Sequence, residues 1–514
     1  GGRLLASIDA LGNRIDYGYD SAGRLTTTTL PAVQDAGVGT PVRPVISRTL
    51  NALGQPATTT DAKGRVTQYL YDADGHRVKT TFADASAISQ DYDALGRRTR
   101  IVDEDGKSTQ FTYDGLGRLA TVSGLAGNAT YAYDEAGNLV RETDALGRVT
   151  RYRYDALDRL VEKQYPGGGT ERFAYDAVGN LTASTDGNGR TTTYTYDAMN
   201  RLVRRALPDG VVHTFTYAPD GQRSSSTTPE GTTHYAYDAR GSLTSITLPD
   251  DSTMTRSRDA NGNLVALATP SGTAMYSYDA LNRLVGGITP GGNAALAYDL
   301  AGNIVRRALP DGVAADYVRD ARDRVTTLTY RSGATTLASY GIEYSAAGRR
   351  SRVVENDGSD TRYSYDVSGR IATEVRTGAG ARSASYAYDA VGNRTSVTVG
   401  GVATSYSYDS DDRLLSAGAA TYSYDGAGRR VARAGSSPAA FGYDGAGRLA
   451  TATLGGVATQ YGYDADGNRT LQSDAAHTQH FLVDASNPTG FSQVVEQRDA
   501  GEVTRFDYLD RALA

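Results

Sequence analysis

The chain has 514 residues, no cysteine, and a formal charge of −6 from 53 basic and 59 acidic residues. The absence of cysteine excludes a disulfide framework and thiolate chemistry, and the charge balance argues against the clustered basic surface of a nucleic-acid binder. Apolar residues are 39% of the chain and its aromatics are 36 Tyr, 8 Phe and no Trp, a mixture suited to a single-layer sheet wetted on both sides rather than a thick aliphatic core.

Residues 1–30 carry two turn signals, Asp9-Ala-Leu-Gly and Asp20-Ser-Ala-Gly. Residues 31–48 interrupt the pattern with Pro31, Pro41 and Pro44 and read as an inserted loop. From Asn51 to Tyr330 the array is regular, with Tyr-Asp recurring at Tyr133, Tyr154, Tyr175 and Tyr196, a step of 21 residues. A fixed period of this size is the signature of a repeat architecture. Before each Tyr-Asp the residues alternate, as in Thr193-Tyr194-Thr195-Tyr196, which puts the tyrosines on one face of a strand. Asp then opens a turn and Gly closes it three residues later, the type I pattern. Where Gly is absent the slot holds Asp158, Asn200, Asn282, Asp323 or Asp412. Asn and Asp are the side chains that best tolerate positive φ, so these five are predicted left-handed, and the period is a β-hairpin whose turn ends in a bulge.

Midway between the Tyr-Asp turns lie others, such as Asp144-Ala-Leu-Gly-Arg, Pro166-Gly-Gly-Gly and the proline form Leu207-Pro-Asp-Gly. The structural residues singled out are Tyr133, Asp134 and Gly137, then Tyr154, Asp155 and Asp158, then Tyr175, Asp176 and Gly179, and finally Tyr196, Asp197 and Asn200. Tyr154, Tyr175 and Tyr196 are predicted to lie in register as an aromatic ladder. The arginines that follow each turn read as a solvated face. Beyond Tyr330 the Tyr spacing loosens to between 16 and 23 residues, so hairpin lengths should vary. Residues 1–470 are therefore read as the repeat array and 471–514 as a terminal segment.

Catalytic and ligand-binding motifs are scarce. Every Tyr-Asp carboxylate has the same turn-capping task, which argues against a glycosidase reading built on a chosen pair of acids. His76, His213, His234, His477 and His480 read as surface histidines, since no third ligand accompanies the His477/His480 spacing. The glycine-rich pieces lack the strand–loop–helix setting of a phosphate loop. No cofactor, metal site or enzymatic activity is expected. No apolar run reaches transmembrane length and no leader opens the chain. It starts on Gly1 inside a repeat, Gly2-Arg3-Leu4, and reads as a piece of a longer protein.

The tandem motif YDxxGRL, as in Tyr113-Asp-Gly-Leu-Gly-Arg-Leu, resembles the YD-repeat (Rhs) family. The likeness is strongest to the repeat shell of bacterial Rhs polymorphic toxins and more distant to Tc toxin C components and teneurins. It implies an all-β fold in which tandem hairpins join one long antiparallel sheet that spirals into a hollow shell. It further implies that the shell encapsulates and protects a C-terminal toxin domain of the same polypeptide, exported by a bacterial secretion system to the cell surface or beyond. A secretion-system spike or adaptor and glycans stand as further candidate partners, with no nucleic acid and no membrane segment in this chain. The run Asn487–Glu496 looks like the family's approach to a core domain, which would follow Tyr508. That core's self-cleavage uses aspartates around an Asp-Pro motif, a dipeptide this sequence lacks. The alternative is a cell-surface adhesion or carbohydrate-binding module of the same repeat; upstream anchoring modules would favour it, and a core domain plus toxin downstream would favour encapsulation.

Overall fold

The computed structural model describes residues 2–36, 39–485, 491–499 and 501–506. The described residues form strands and turns only, and 48 strands belong to one antiparallel sheet. Most strands are five to seven residues long and pair with their sequence neighbours. The alternation sets the faces. In Thr191–Tyr196 the threonines at odd positions are exposed, while Thr192, Tyr194 and Tyr196 are half-buried.

Each Tyr-Asp turn has the geometry its letters dictate. Asp155 O accepts from Asp158 N at 3.1 Å, and Asp155 N donates to Arg159 O at 3.0 Å. This is a type I turn closed by one left-handed residue. Asp158, Asn200, Asn282, Asp323 and Asp412 have φ of 58°, 60°, 58°, 63° and 63°, and Gly137 and Gly179 fill the same slot at 99° and 97°. A second irregularity follows at once. Tyr154 pairs with Leu160 but Arg153 with Glu162, leaving Val161 as an extra residue, and the same shift recurs at Tyr175 and Tyr196. Each hairpin thus carries two bulges, which twist the strand locally and end its pairing near the turn.

The intervening turns are of two kinds. Those at Asp144, Tyr165 and Leu207 repeat the type I form. Others, such as Thr228 to Gly231, are two-residue loops whose flanking residues pair directly. Ala85 and Asp251 also take positive φ in these turns, 66° and 62°. Ala85 departs from the rule that only Gly, Asn or Asp serves there, and does so without a side-chain oxygen to support it. The stretch at 31–48 is more than a loop: Val33–Gln34 pairs with Pro41–Val42 as a separate two-stranded sheet, and Val33 is buried. After residue 325 the lengths vary, from ten residues in Thr335–Tyr344 to four in Leu414–Ala417, which accounts for the uneven Tyr spacing. Within 471–514, pairing continues through Thr478–Asp484, Gln493–Asp499 and Glu502–Arg505. Asn487 to Gly490 and Tyr508 lie outside the described residues.

The chain divides into two compact units. Unit 1 comprises Gly1–Thr130, Arg258–Val265 and Met275–Ala403; unit 2 comprises Tyr131–Ser257, Ala266–Ala274 and Thr404–Ala514. Each unit therefore combines stretches far apart in sequence. Apolar burial is uneven. Among the described residues no apolar side chain between Pro44 and Leu207 is buried, whereas Phe215, Ile246, Met254, Leu264, Leu284 and Leu296 all are.

Candidate functional site

The turn edge is where chemistry-bearing side chains converge. In the Asp155 turn, Oδ1 accepts from the amides of Leu157 and Arg159 at 2.9 and 3.1 Å, and Oδ2 from Arg159 Nε at 2.8 Å. The same Arg159 reaches the next repeat, where Nη1 donates to Asp176 O at 2.8 Å and the guanidinium lies 4.8 Å from the Tyr175 ring centroid. Tyr175 in turn donates its hydroxyl back to Leu160 O at 3.0 Å, as Tyr154 does to Leu139 O and Tyr196 to Leu181 O. Arg201 repeats the pattern on Asp197 and over Tyr217 at 4.7 Å. The tyrosines are thus in register, but the ladder alternates guanidinium with ring rather than stacking ring on ring. The arginines are not a solvated face either: the side chains of Arg159 and Arg201 are 23% and 22% exposed. A guanidinium over a tyrosine contributes roughly 0.5–1 kcal/mol at such half-exposed sites.

These contacts fix the charge states. The Arg159 guanidinium holds the Asp155 carboxyl below its usual range, against a smaller upward push from burial and with help from the turn amides. Arg201 does the same for Asp197 and the Asn180 side chain for Asp176. In Asp134 burial pushes upward most, yet the Asn138 amide and side chain bring the net shift down.

The residue that closes a turn also decides which residue fits the next. Asn138 and Asn180 close their own turns on Asp134 and Asp176, and their Nδ2 groups also donate to Asp158 Oδ1 at 2.7 Å and Asn200 Oδ1 at 3.0 Å. Asn263 meets Asn282 and Asn303 meets Asp323 in the same way. Long closing residues precede glycine instead. A Cβ built on Gly369 would come within 2.7 Å of Arg349 Nε, and on Gly241 within 2.6 Å of Gln222 Nε2. The short amide leaves room for a side chain at the left-handed slot and bonds to it; at Gly369 and Gly241 the long one fills that room itself, whereas at Gly179 and Gly221, after Arg159 and Arg201, a Cβ would meet nothing within 4 Å. Sequence reasoning found the slot and missed its partner, though the pairing is visible in the letters once the closing Asn of one repeat is read against the slot of the next.

Within each unit, turn edges distant in sequence are bridged. In unit 1, Arg65 binds Asp323 at 2.6 Å, Lys63 binds Asp299 at 2.8 Å and Arg322 binds Glu104 at 2.7 Å. The Asp323 carboxylate raises the Arg65 pKa. In unit 2, Arg148 binds Asp412 at 2.8 Å, Asn188 Nδ2 donates to Asp425 Oδ2 at 3.0 Å and Gly445 N to Asp209 Oδ2 at 2.6 Å. The slot residues Asp323 and Asp412 therefore serve both as left-handed turn residues and as acceptors across this seam. Gly187 and Gly426 allow two turns to meet backbone on backbone, since a Cβ on Gly426 would lie 2.7 Å from Gly187 O.

The teneurin YD-shell model matches residues 162–312 and 313–512, and the RHS repeat model matches 2–32, 51–87, 92–129 and 133–170. The chain belongs to the YD-repeat (Rhs) family. Solved structures with this fold include a TcdB2-TccC3-Cdc42 protein, 13% identical with a TM-score of 0.71 over 97% of this chain and 33% of that one. A TcdB2-TccC3-TEV protein is 15% identical with a TM-score of 0.64, over 95% of this chain and 31% of that one. The Photorhabdus luminescens Tc holotoxin pore is 14% identical with a TM-score of 0.57, over 93% and 32%. The chain spans about a third of the length of these solved chains. No curated protein matches it in sequence.

In this YD-repeat chain the strongest departures from plain turn chemistry lie in unit 2. Arg256 and Asp484 form an ion pair at 2.7 Å with side chains 0% and 2% exposed. Glu496 is fully buried, accepting from Ser271 N at 3.0 Å and Arg498 Nη2 at 3.0 Å. His213 is 2% exposed, which corrects its reading as a surface histidine. Its Nδ1 accepts from Arg205 Nη2 at 2.7 Å, and burial, then Arg205 and Arg448, hold its pKa down. Among the described residues no group of acids and histidines is placed to hold a metal ion, and no helix is long and apolar enough to cross a membrane.

Proposed function

We propose that the chain is wall material of an Rhs-type toxin shell, which encloses a toxin domain carried by its own polypeptide and keeps it from proteases and from its producer until delivery. The observation that carries this reading is the YD-shell match over residues 162–512. The geometry gives it a physical basis. Strands seal laterally by ladder hydrogen bonds, and turn edges, where ladders stop, are bridged by pairs such as Arg65–Asp323 and Arg148–Asp412. The repeated carboxylates are occupied by amides and guanidiniums, which leaves them a mechanical rather than a catalytic role. Export through a bacterial secretion system, with a spike or adaptor bound outside, belongs to the same reading.

Limited proteolysis of the full-length gene product tests it. The toxin domain should survive within the native wall and be digested in Arg65→Ala and Arg148→Ala variants that open the seam; a toxin domain cleaved as fast in the native protein would overturn the reading. The second reading, a cell-surface adhesion or carbohydrate-binding module, is favoured by the teneurin description of the matching model. Saturable binding to a glycan array that survives heat-inactivation controls would establish it.

A further inference from the structure

Arg205 stands apart from the other arginines of the array. It lies on the strand Leu202–Ala206, opposite His213, to which its Nη2 donates, and the same group donates to Ala465 O. Its Nε is buried with no partner, and it makes no ion pair among the described residues. Burial together with the nearby Arg448 disfavours its charge, and the protein offsets this only through Tyr194, Asp466 and Asp444 at longer range and the Phe215 ring 5.9 Å from the guanidinium. Arg205 is half-buried, and a partly desolvated guanidinium without an ion-pair partner gains from a counter-charge that meets it.

Arg205 lines a recess of about 400 Å³ within unit 2, together with Arg190, Arg429, Thr192 and Glu171. Arg190 and Arg429 are already held by Asp186 at 3.0 Å and Asp425 at 2.7 Å, so the open positive charge belongs to Arg205. Glu171 forms no ion pair among the described residues and approaches from the strand Thr170–Tyr175. That strand and the strand of Arg205 are three spacings apart, about 14 Å between backbones, and both side chains line the same recess.

We propose that this recess is a binding site for hydrogen phosphate, its oxygens accepting from Arg205 and the Thr192 hydroxyl while its own O–H donates to Glu171. A carboxylate accepts hydrogen bonds and gives none. Glu171 therefore favours an oxyanion that keeps a proton at neutral pH and repels one, such as sulfate, that does not.

Calorimetric titration with sodium phosphate and with sodium sulfate, at matched ionic strength and neutral pH, tests this on the intact chain. Phosphate should bind at least about tenfold more tightly than sulfate, the weight of one hydrogen bond to a charged group. Arg205→Gln should weaken phosphate by a similar factor, and Glu171→Gln should bring the two ions to parity. No saturable phosphate binding below about 10 mM, or equal binding by Arg205→Gln, would overturn the proposal. Should Arg205→Gln fail to fold, arsenate diffraction on the native protein decides: an arsenic peak against Arg205 supports the site, and its absence there refutes it.

Discussion

The regular repeats from 51 to 206 and the stretch from 207 to 315 solve one problem in different ways. A single sheet has no second layer to bury its apolar face against. In the first region, no apolar side chain is buried among the described residues, and order comes from Asp155-type turns, Arg159-type bridges and tyrosines bonded back to the preceding repeat. In the second, Phe215, Ile246, Met254, Leu264 and Leu284 are buried, and an ion pair, Arg256–Asp484, is taken out of water. The first design spreads small polar contributions evenly, so that no residue is decisive. The second concentrates stability in a few buried groups.

The contrast breaks most sharply at the buried pair. Asp484→Asn leaves Arg256 uncompensated and should cost about 3–5 kcal/mol, read as a fall in the urea midpoint. A cost under about 1 kcal/mol would place the pair with the exposed ones. In the regular region Asn200→Val forces a β-branched residue to positive φ and should cost about 1–3 kcal/mol, seen as faster hydrogen exchange in Thr191–Tyr196 and Leu202–Ala206. Tyr175→Phe removes only the bond to Leu160 O and should cost about 0.5–1.5 kcal/mol by the same measurement.

Acid sharpens the comparison further. The folded pKa values of Asp155, Asp176 and Asp197 lie below their unfolded values. Their stabilisation is therefore complete above about pH 4 and is lost as the pH falls through the folded values. Exchange in residues 149–206 should quicken progressively below that point; unchanged protection there down to about pH 2 would contradict it.

The hairpin was legible because its determinants are local. Alternation set the strand faces, and Asp with Gly, Asn or Asp set the turn, so the left-handed slots at Asp158 and Asn200 could be named from letters alone. What escaped reading depends on neighbours one repeat away or much farther. Arg159 resembles any solvent-facing arginine until Tyr175 and Asp176 are placed beneath it. The burial of His213 and the pairing of Arg256 with Asp484 need residues more than 200 positions apart to meet, and no local pattern encodes that. Ala85 at positive φ is the opposite case, a residue whose own chemistry argues against its conformation.

The central claim is that each turn's closing side chain determines the slot of the next, and a swap tests it directly. Asn180→Arg in the presence of Asn200 should crowd the slot, and Asn200→Gly alone should lose the bond from Asn180. The double variant recreates the arginine-then-glycine arrangement found at Arg349 and Gly369. Measured as local exchange free energies, the double variant should be more stable than the sum of the two single changes by about 1–2 kcal/mol. Additivity within about 0.3 kcal/mol would mean that neighbouring turns choose their residues independently, and the account would fail.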